Sequence, residues 1–210
     1  MQVHIIPVTA YEQNCSLIIC EKTGKAAVVD PGGDLERIKA QIAKHGANLE
    51  KIIVTHGHFD HCGAAAEFAE QFQVPIEGPH PDDEFLTQSI PEWCAQVGFP
   101  PGRNFIPERW LHDGDSVTVG EETLDVVHCP GHTPGHVVLF HEGKKIAFVG
   151  DVIFQGSIGR TDFPRGNHAD LIRSIREKLF PLGDDVTFVP GHGPNSTLGY
   201  EKANNPFVRG

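Results

Sequence analysis

The sequence is poor in the features that would mark several broad classes of protein. Its five cysteines, at positions 15, 20, 62, 94 and 129, contain no CxxC pair and are odd in number. That excludes a dense disulfide framework and suits reduced thiols packed inside a cytoplasmic protein. No apolar window approaches the ~18 residues that a membrane-spanning helix requires. The start, Met1-Gln2-Val3-His4-Ile5, has no basic leader and no long apolar stretch, so no secretory signal is expected. Positive charge is scarce: 17 Lys and Arg stand against 28 Asp and Glu, a net charge of −11. A surface of that sign argues against nucleic acid as a partner, because phosphate binding needs a basic face.

What remains is ordinary globular composition, with 39% hydrophobic and 21% charged residues. A length of 210 residues suits one domain, expected to cover 1–210. Val3–Val8, Cys15–Cys20 and Lys25–Asp30 read as strands separated by turn residues. Asp34 then opens a helix carrying Leu35, Ile38 and Ile42, which ends near Gly46. Ile52–Val54 is a buried strand, and the helix after it carries Phe68 and Phe72 and stops before Pro75. Asp82–Val97 is expected as a helix that Pro91 kinks or ends. Residues 79–110 as a whole are expected as a substrate-side lid or a plain surface excursion. Strands return at Ser116–Val119, Thr123–Cys129, His136–Phe140 and Ile146–Val149. A helix from Asn167 or His168 closes at Pro181, Val186–Val189 is a last strand, and Tyr200–Gly210 is a short helix and tail. Strand-rich then helical segments in each half predict an α/β architecture of two sheets with helices outside.

The chemistry concentrates in Thr55-His56-Gly57-His58-Phe59-Asp60-His61. Three imidazoles and a carboxylate follow directly on the Ile52–Val54 strand, and a helix begins at Cys62. His56 and His58, two apart, share a face of an extended segment, while Asp60 and His61 lie on the turn. One metal can use the first pair and a second metal the other. Such a two-metal site needs about seven or eight protein ligands. Three further residues have the right chemistry and the same placement after a strand, beside glycine. They are His132 in Cys129-Pro130-Gly131-His132-Thr133-Pro134-Gly135-His136, Asp151 after Ile146–Gly150, and His192 in Pro190-Gly191-His192-Gly193-Pro194.

That set resembles the metallo-β-lactamase superfamily. The resemblance implies a four-layer αββα sandwich of two mixed sheets with outer helices. It also implies one metal held by His56, His58 and His132, a second by Asp60, His61 and His192, and Asp151 bridging them. The stretches Pro130–His136, Gly150–Phe154 and Ser157–Asp162, with Asn205-Pro206-Phe207 near the end, are similar to glyoxalase II. By that likeness Arg160 stands where those enzymes keep a basic residue for glutathione. Only 18 residues follow His192, so the added helical domain of the larger glyoxalase II enzymes is not expected. The likeness is to the short single-domain bacterial glyoxalase II-like hydrolases.

The function so implied is hydrolysis of a thioester, with S-lactoylglutathione the natural substrate and lactate and glutathione the products. Two divalent ions about 3.5–4 Å apart would share a water, lower its pKa and generate a bridging hydroxide. Asp60 and Asp151 would orient that nucleophile, and Arg160 would anchor a substrate carboxylate with its fork. Zinc is the default for an N/O donor set, with iron or manganese as alternatives. His136 is expected to donate to a ligand carboxylate. The rival readings are a mononuclear-iron persulfide dioxygenase, using His56, His132 and Asp151, and a lactonase or nuclease on the same fold.

Overall fold

The computed structural model describes residues 1–209. Strands β1 (Gln2–Val8), β2 (Gln13–Ile19), β3 (Lys25–Val29), β4 (Asn48–Ile53) and β5 (Ile76–Glu77) form one sheet in that order. It is antiparallel as far as β3 and parallel from there to β5. The second sheet runs β13-β12-β9-β8-β7-β6. Its strands are β6 (Ser116–Val119), β7 (Glu122–His128), β8 (Val137–His141), β9 (Ile146–Gly150), β12 (Thr187–Pro190) and β13 (Ser196–Thr197). A small hairpin, β10 (Ile153–Phe154) with β11 (Ser157–Ile158), follows β9.

The two-residue pleat sorts each buried strand between two cores. Ile18, Ala27, Val29 and Ile53 meet Val137, Leu139 and Phe148 between the sheets. Their neighbours Leu17, Val28 and Ile52 turn the other way. They pack on Ile38 and Ile42 of α1 (Leu35–Lys44) and Phe68 of α3 (Ala65–Phe72). Behind the second sheet, Val138, Ala147 and Val149 cover Leu171, Ile175 and Leu179. These come from α6 (His168–Arg173) and the wider π turns, Ser174–Leu179, that continue it. Helix, sheet, sheet, helix is therefore the layer order, as expected. A side chain such as Phe68, fully buried, contributes about 1.5–3 kcal/mol by its removal from water. A one-residue slip of β3 would exchange its two faces and lose both cores.

Two expectations need correction. Asp82–Val97 is not one helix: a turn at Pro81–Asp83 leads to α4 (Glu84–Thr87), then a break, then α5 (Ile90–Val97). Pro91 begins α5 instead of ending a helix, because its fixed φ and missing N–H suit a first turn. The Asn104 side chain holds the break, accepting the Ile90 N–H at 3.0 Å and donating to the Gln88 carbonyl at 2.7 Å. At the other end, α7 (Leu198–Asn204) starts earlier than Tyr200, since the Thr197 hydroxyl caps it. The short strands β5, β10, β11 and β13 carry too few residues to show a period. The remaining helix, α2 (Phe59–Cys62), is the single turn holding the Asp60-His61 pair. All five cysteines are free and buried, as packing residues are. Among the described residues no helix is long and apolar enough to cross a membrane.

Candidate metal centre

The carboxyl ends of β4, β7, β9 and β12 converge on one rim of the sandwich. There the donor atoms of His56, His58 and His132 lie within 4.8 Å of one another, as do those of Asp60, His61 and His192. Asp151 lies between the two triads. Its Oδ1 is 3.3 Å from His61 Nε2, and its Oδ2 is 3.5 Å from His132 Nε2 and 3.8 Å from His192 Nε2. All seven sequence-selected residues are thus brought together. Glycine is needed beside them: a Cβ on Gly191 would stand 2.1 Å from Asp151 Oδ1 and 2.5 Å from the His61 ring.

Neighbours turn each ring. His61 Nδ1–H donates to Asp30 at 2.9 Å, and His132 Nδ1–H donates to the Arg160 carbonyl at 2.8 Å. His192 Nδ1–H donates to the Tyr11 carbonyl at 3.1 Å. In each case Nε2 is left with its lone pair facing the site, which is how outer partners set metal-ligating tautomers. Asp30 does more: it accepts the Thr55 N–H at 2.7 Å and the Thr55 hydroxyl at 2.6 Å. Thr55 Oγ1 lies 3.1 Å from His56 Nδ1, so it accepts that N–H and His56 Nε2 faces inward.

Burial pushes the imidazoles of His56 and His136 far below their ordinary range, helped by the neighbouring rings. His58 falls to about 3, through burial and His132, against the opposing pull of Asp60 and Asp151. Burial would also lower His61, but Asp151 and Asp60 outweigh it and raise the group. For Asp151, burial is overcome by His61 and His132, and the carboxyl lies well below the usual carboxylate range. The first triad thus holds the neutral imidazoles, and Asp151 the ionised carboxylate, that a cation needs, while His61 would give up a proton on binding one.

Whether a cation fits is answered by unpaired atoms. His56 Nε2, His61 Nε2 and Asp151 Oδ1 are buried without a hydrogen-bond partner. Polar atoms left so cost about 1–3 kcal/mol each, and of these one belongs to the first triad, one to the second and one to Asp151 between them. Ions held at the two triads would satisfy all three, and nitrogen with oxygen donors accepts zinc, iron or manganese.

Not every role survives. His136 does not donate to a ligand carboxylate: its Nε2 accepts the Asp151 main-chain N–H at 3.0 Å, and its ring stacks on His56 at 4.5 Å. Arg160 does line the cavity beside the triads, but its Nε and Nη2 donate to Asp162, each at 2.6 Å. Its guanidinium also lies 4.3 Å from the Phe163 ring centre. Residues 79–110 supply Trp93 to the cavity wall and Asp83 to the support beneath it. Sequence reading missed Asp30, Asp83 and the aromatic wall. Asp30 had one available signal, its position between a strand and Pro31-Gly32-Gly33.

Residues 8–192 match the family model described as the metallo-beta-lactamase superfamily. The chain belongs to the metallo-β-lactamase superfamily. Within the superfamily it is 47% identical over 209 residues to the hydroxyacylglutathione hydrolase GloC of Haemophilus influenzae, covering 99% of this chain and 98% of that one. The BLEG-1 B3 metallo-beta-lactamase has a TM-score of 0.91 at 32% identity, covering all of both chains. TTHA1623, solved in a di-iron-bound form, has a TM-score of 0.89 at 32% identity, with 98% of this chain and 100% of that one covered. The chain is a metal-dependent hydrolase. Its paired His and Asp clusters suit a dinuclear divalent site.

Proposed function

We propose that the protein hydrolyses thioesters of glutathione, with S-lactoylglutathione as its natural substrate. The observation that carries this reading is the pair of complete triads about Asp151, five of whose seven residues line a cavity of about 410 Å³. The relative named for hydroxyacylglutathione hydrolysis supports the choice of substrate. His56, His58 and His132 would hold one ion and Asp60, His61 and His192 the other, with Asp151 placed to serve both. Zinc is the expected metal. Two ions so placed supply a water of lowered pKa and polarise the thioester carbonyl.

The chain's own groups do the rest. Asp60 and Asp151, ionised in the site, accept hydrogen bonds from the attacking water and orient it, and the proton it gives up ends on the departing sulfur. The new C–O bond replaces the C–S bond, and the departing sulfur leaves as glutathione thiol. Neither cysteine beside the ligands acts as a nucleophile: burial pushes Cys62 well above its ordinary range and Cys129 up to about 12. Arg160 presents its remaining N–H groups to a substrate carboxylate. We place the activity in the cytosol, where buried free thiols stay reduced.

The completeness of the second triad supports two ions over the single iron of a persulfide dioxygenase. Metal analysis beside turnover tests the reading. Two ions per chain with release of glutathione and lactate is the expected result. One iron per chain with oxygen uptake on glutathione persulfide would sink it.

A further inference from the structure

A fourth imidazole stands behind the first triad and belongs to neither ligand set. His136 is fully buried, and its ring lies flat on that of His56, with centres 4.5 Å and planes 18° apart. The rings of the first triad meet edge to face instead: His56 and His58 at 85°, His58 and His132 at 86°, His56 and His132 at 80°. A ring nitrogen binds an ion in the plane of its ring, so rings at such angles can aim at one point. A ring stacked on the face of a ligand cannot. His136 therefore backs His56 and does not join it.

Three segments fix its position. The His136 carbonyl accepts the Cys129 N–H at 2.8 Å, just after β7. The next N–H, of Val137, donates to the Thr55 carbonyl at 2.9 Å, one residue before His56. The ring then reaches the end of β9, where Nε2 accepts the Asp151 N–H at 3.0 Å. Gly150 makes room for it: φ there is +47°, and a Cβ would stand 2.6 Å from His136 Nε2. An accepting Nε2 leaves the ring's own proton on Nδ1, which is buried without a partner. A phenyl ring of the same shape would avoid that unpaired N–H. What phenyl cannot do is accept the Asp151 N–H. The acceptor is what the imidazole adds to the packing.

We propose that His136 is a positioning residue of the metal centre, whose Nε2 holds the Asp151 main chain so that the carboxylate stays between the two triads. It is no ligand and does not line the cavity; it acts through Asp151 and through the ring of His56. Without it Asp151 can turn toward one triad, and the two metal positions no longer share it. The proposal rests on the two-ion reading of the centre and not on the choice of thioester.

Two substitutions separate the acceptor from the ring. His136→Gln keeps an oxygen acceptor within reach of the Asp151 N–H and gives up the ring. His136→Phe keeps the ring and gives up the acceptor. In competition between the protein and a chromophoric chelator for zinc, His136→Phe should lose about 10–100-fold in affinity for the more weakly held ion, as for other outer partners of metal ligands. His136→Gln should recover most of that loss. With cobalt in place of zinc, the visible spectrum of His136→Phe should depart from wild type and that of His136→Gln should follow it. An equal loss in both variants overturns the proposal, because the ring's packing would then be its whole role. Nitrogen NMR of the unsubstituted chain gives a reading that needs no variant to fold. His136 should carry its proton on Nδ1, and the Asp151 amide should be protected from exchange; a proton on Nε2 overturns the proposal. A single ion in wild type overturns the two-ion reading itself. Two ions in wild type, with affinity and spectrum unchanged in His136→Phe, overturn this proposal alone.

Discussion

Asp83 accepts the main-chain N–H of Gly57 at 2.9 Å, across 26 residues of sequence. Gly57 lies between His56 and His58, so this one bond pins the backbone of the first ligand pair. The same carboxylate accepts the Thr133 hydroxyl at 2.8 Å and the Gly135 N–H at 2.6 Å, both in the loop just after His132. A single buried side chain therefore holds together two of the segments that make the first triad.

Asp83→Ala should leave three buried donors without an acceptor, at about 1–3 kcal/mol each. We expect a lower Tm and weaker metal retention in the first triad. Thermal unfolding and metal analysis check this; a variant that keeps both ions and its wild-type Tm would refute the bridging role.

The same residue predicts a pH dependence. Burial pushes the Asp83 carboxyl up to about 6 despite its three donors. Between the unfolded value of ~3.9 and that folded value, the native state binds more protons than the unfolded state. Stability therefore falls as pH rises through about 4 to 6 and is level above it, by at most about 3 kcal/mol for this shift. Asp83→Asn should lack that component. Urea unfolding of the metal-free proteins at pH 4 and pH 7 measures it, as the difference between variant and wild type.

Asp30 holds the second triad as Asp83 holds the first. Asp30→Ala frees His61 Nδ1 and strands the buried Thr55 N–H. Metal affinity should fall about 10–100-fold, as for other outer partners of ligating histidines. Competition with a chromophoric chelator reads it, and affinity within twofold of wild type would count against the orienting role.

Arg160 and Asp162 should act in opposite directions. Arg160→Ala removes the anchor and should raise KM for a glutathione thioester several-fold, with kcat little changed. Asp162→Ala releases the Nε and Nη2 edge and should lower KM. If neither variant changes KM, Arg160 is a surface ion pair and not an anchor.

Asn205 explains why a motif near the end of the chain accompanies the site. Its side-chain amide donates to the Ser157 carbonyl at 2.9 Å and to Glu201 at 2.9 Å, while Glu201 accepts the Gly156 N–H at 2.8 Å. Helix α7 thus holds the β10–β11 hairpin, which brings Phe154 and Ile158 to the cavity. Asn205→Ala should raise KM more than it lowers kcat, with both metals retained. An equal loss in kcat and KM effects for large and small thioesters alike would point to global destabilisation.

Much of this was legible in residue order because the information is local. Ile18 and Leu17, or Val28 and Val29, alternate between two cores, and a two-residue period of apolar residues is visible in any strand long enough to show it. The ligands were legible for a similar reason. Each follows a strand and stands beside glycine, so His132, Asp151 and His192 could be picked out although they are distant from His56 in sequence.

What tertiary structure alone decided is whatever depends on a partner far along the chain. Asp83 reads as one acid among several in Pro81-Asp82-Asp83-Glu84, and only packing under Gly57 and Gly135 separates it from its neighbours. Pro91 reads as a breaker until Asn104 is seen capping the turn before it. Arg160 reads as a free cation until Asp162 is seen on its fork. The His-and-Asp pattern by itself determined that this protein would carry metal chemistry, because ligand types and their spacing after strands are local properties. The wall around that chemistry, and so the shape of what it admits, was decided by rings drawn from five separate stretches of chain, those of Tyr11, Phe59, Trp93, Phe154 and Phe163. Aromatic side chains have no sequence signature that tells a cavity wall from a core; only their positions in space do.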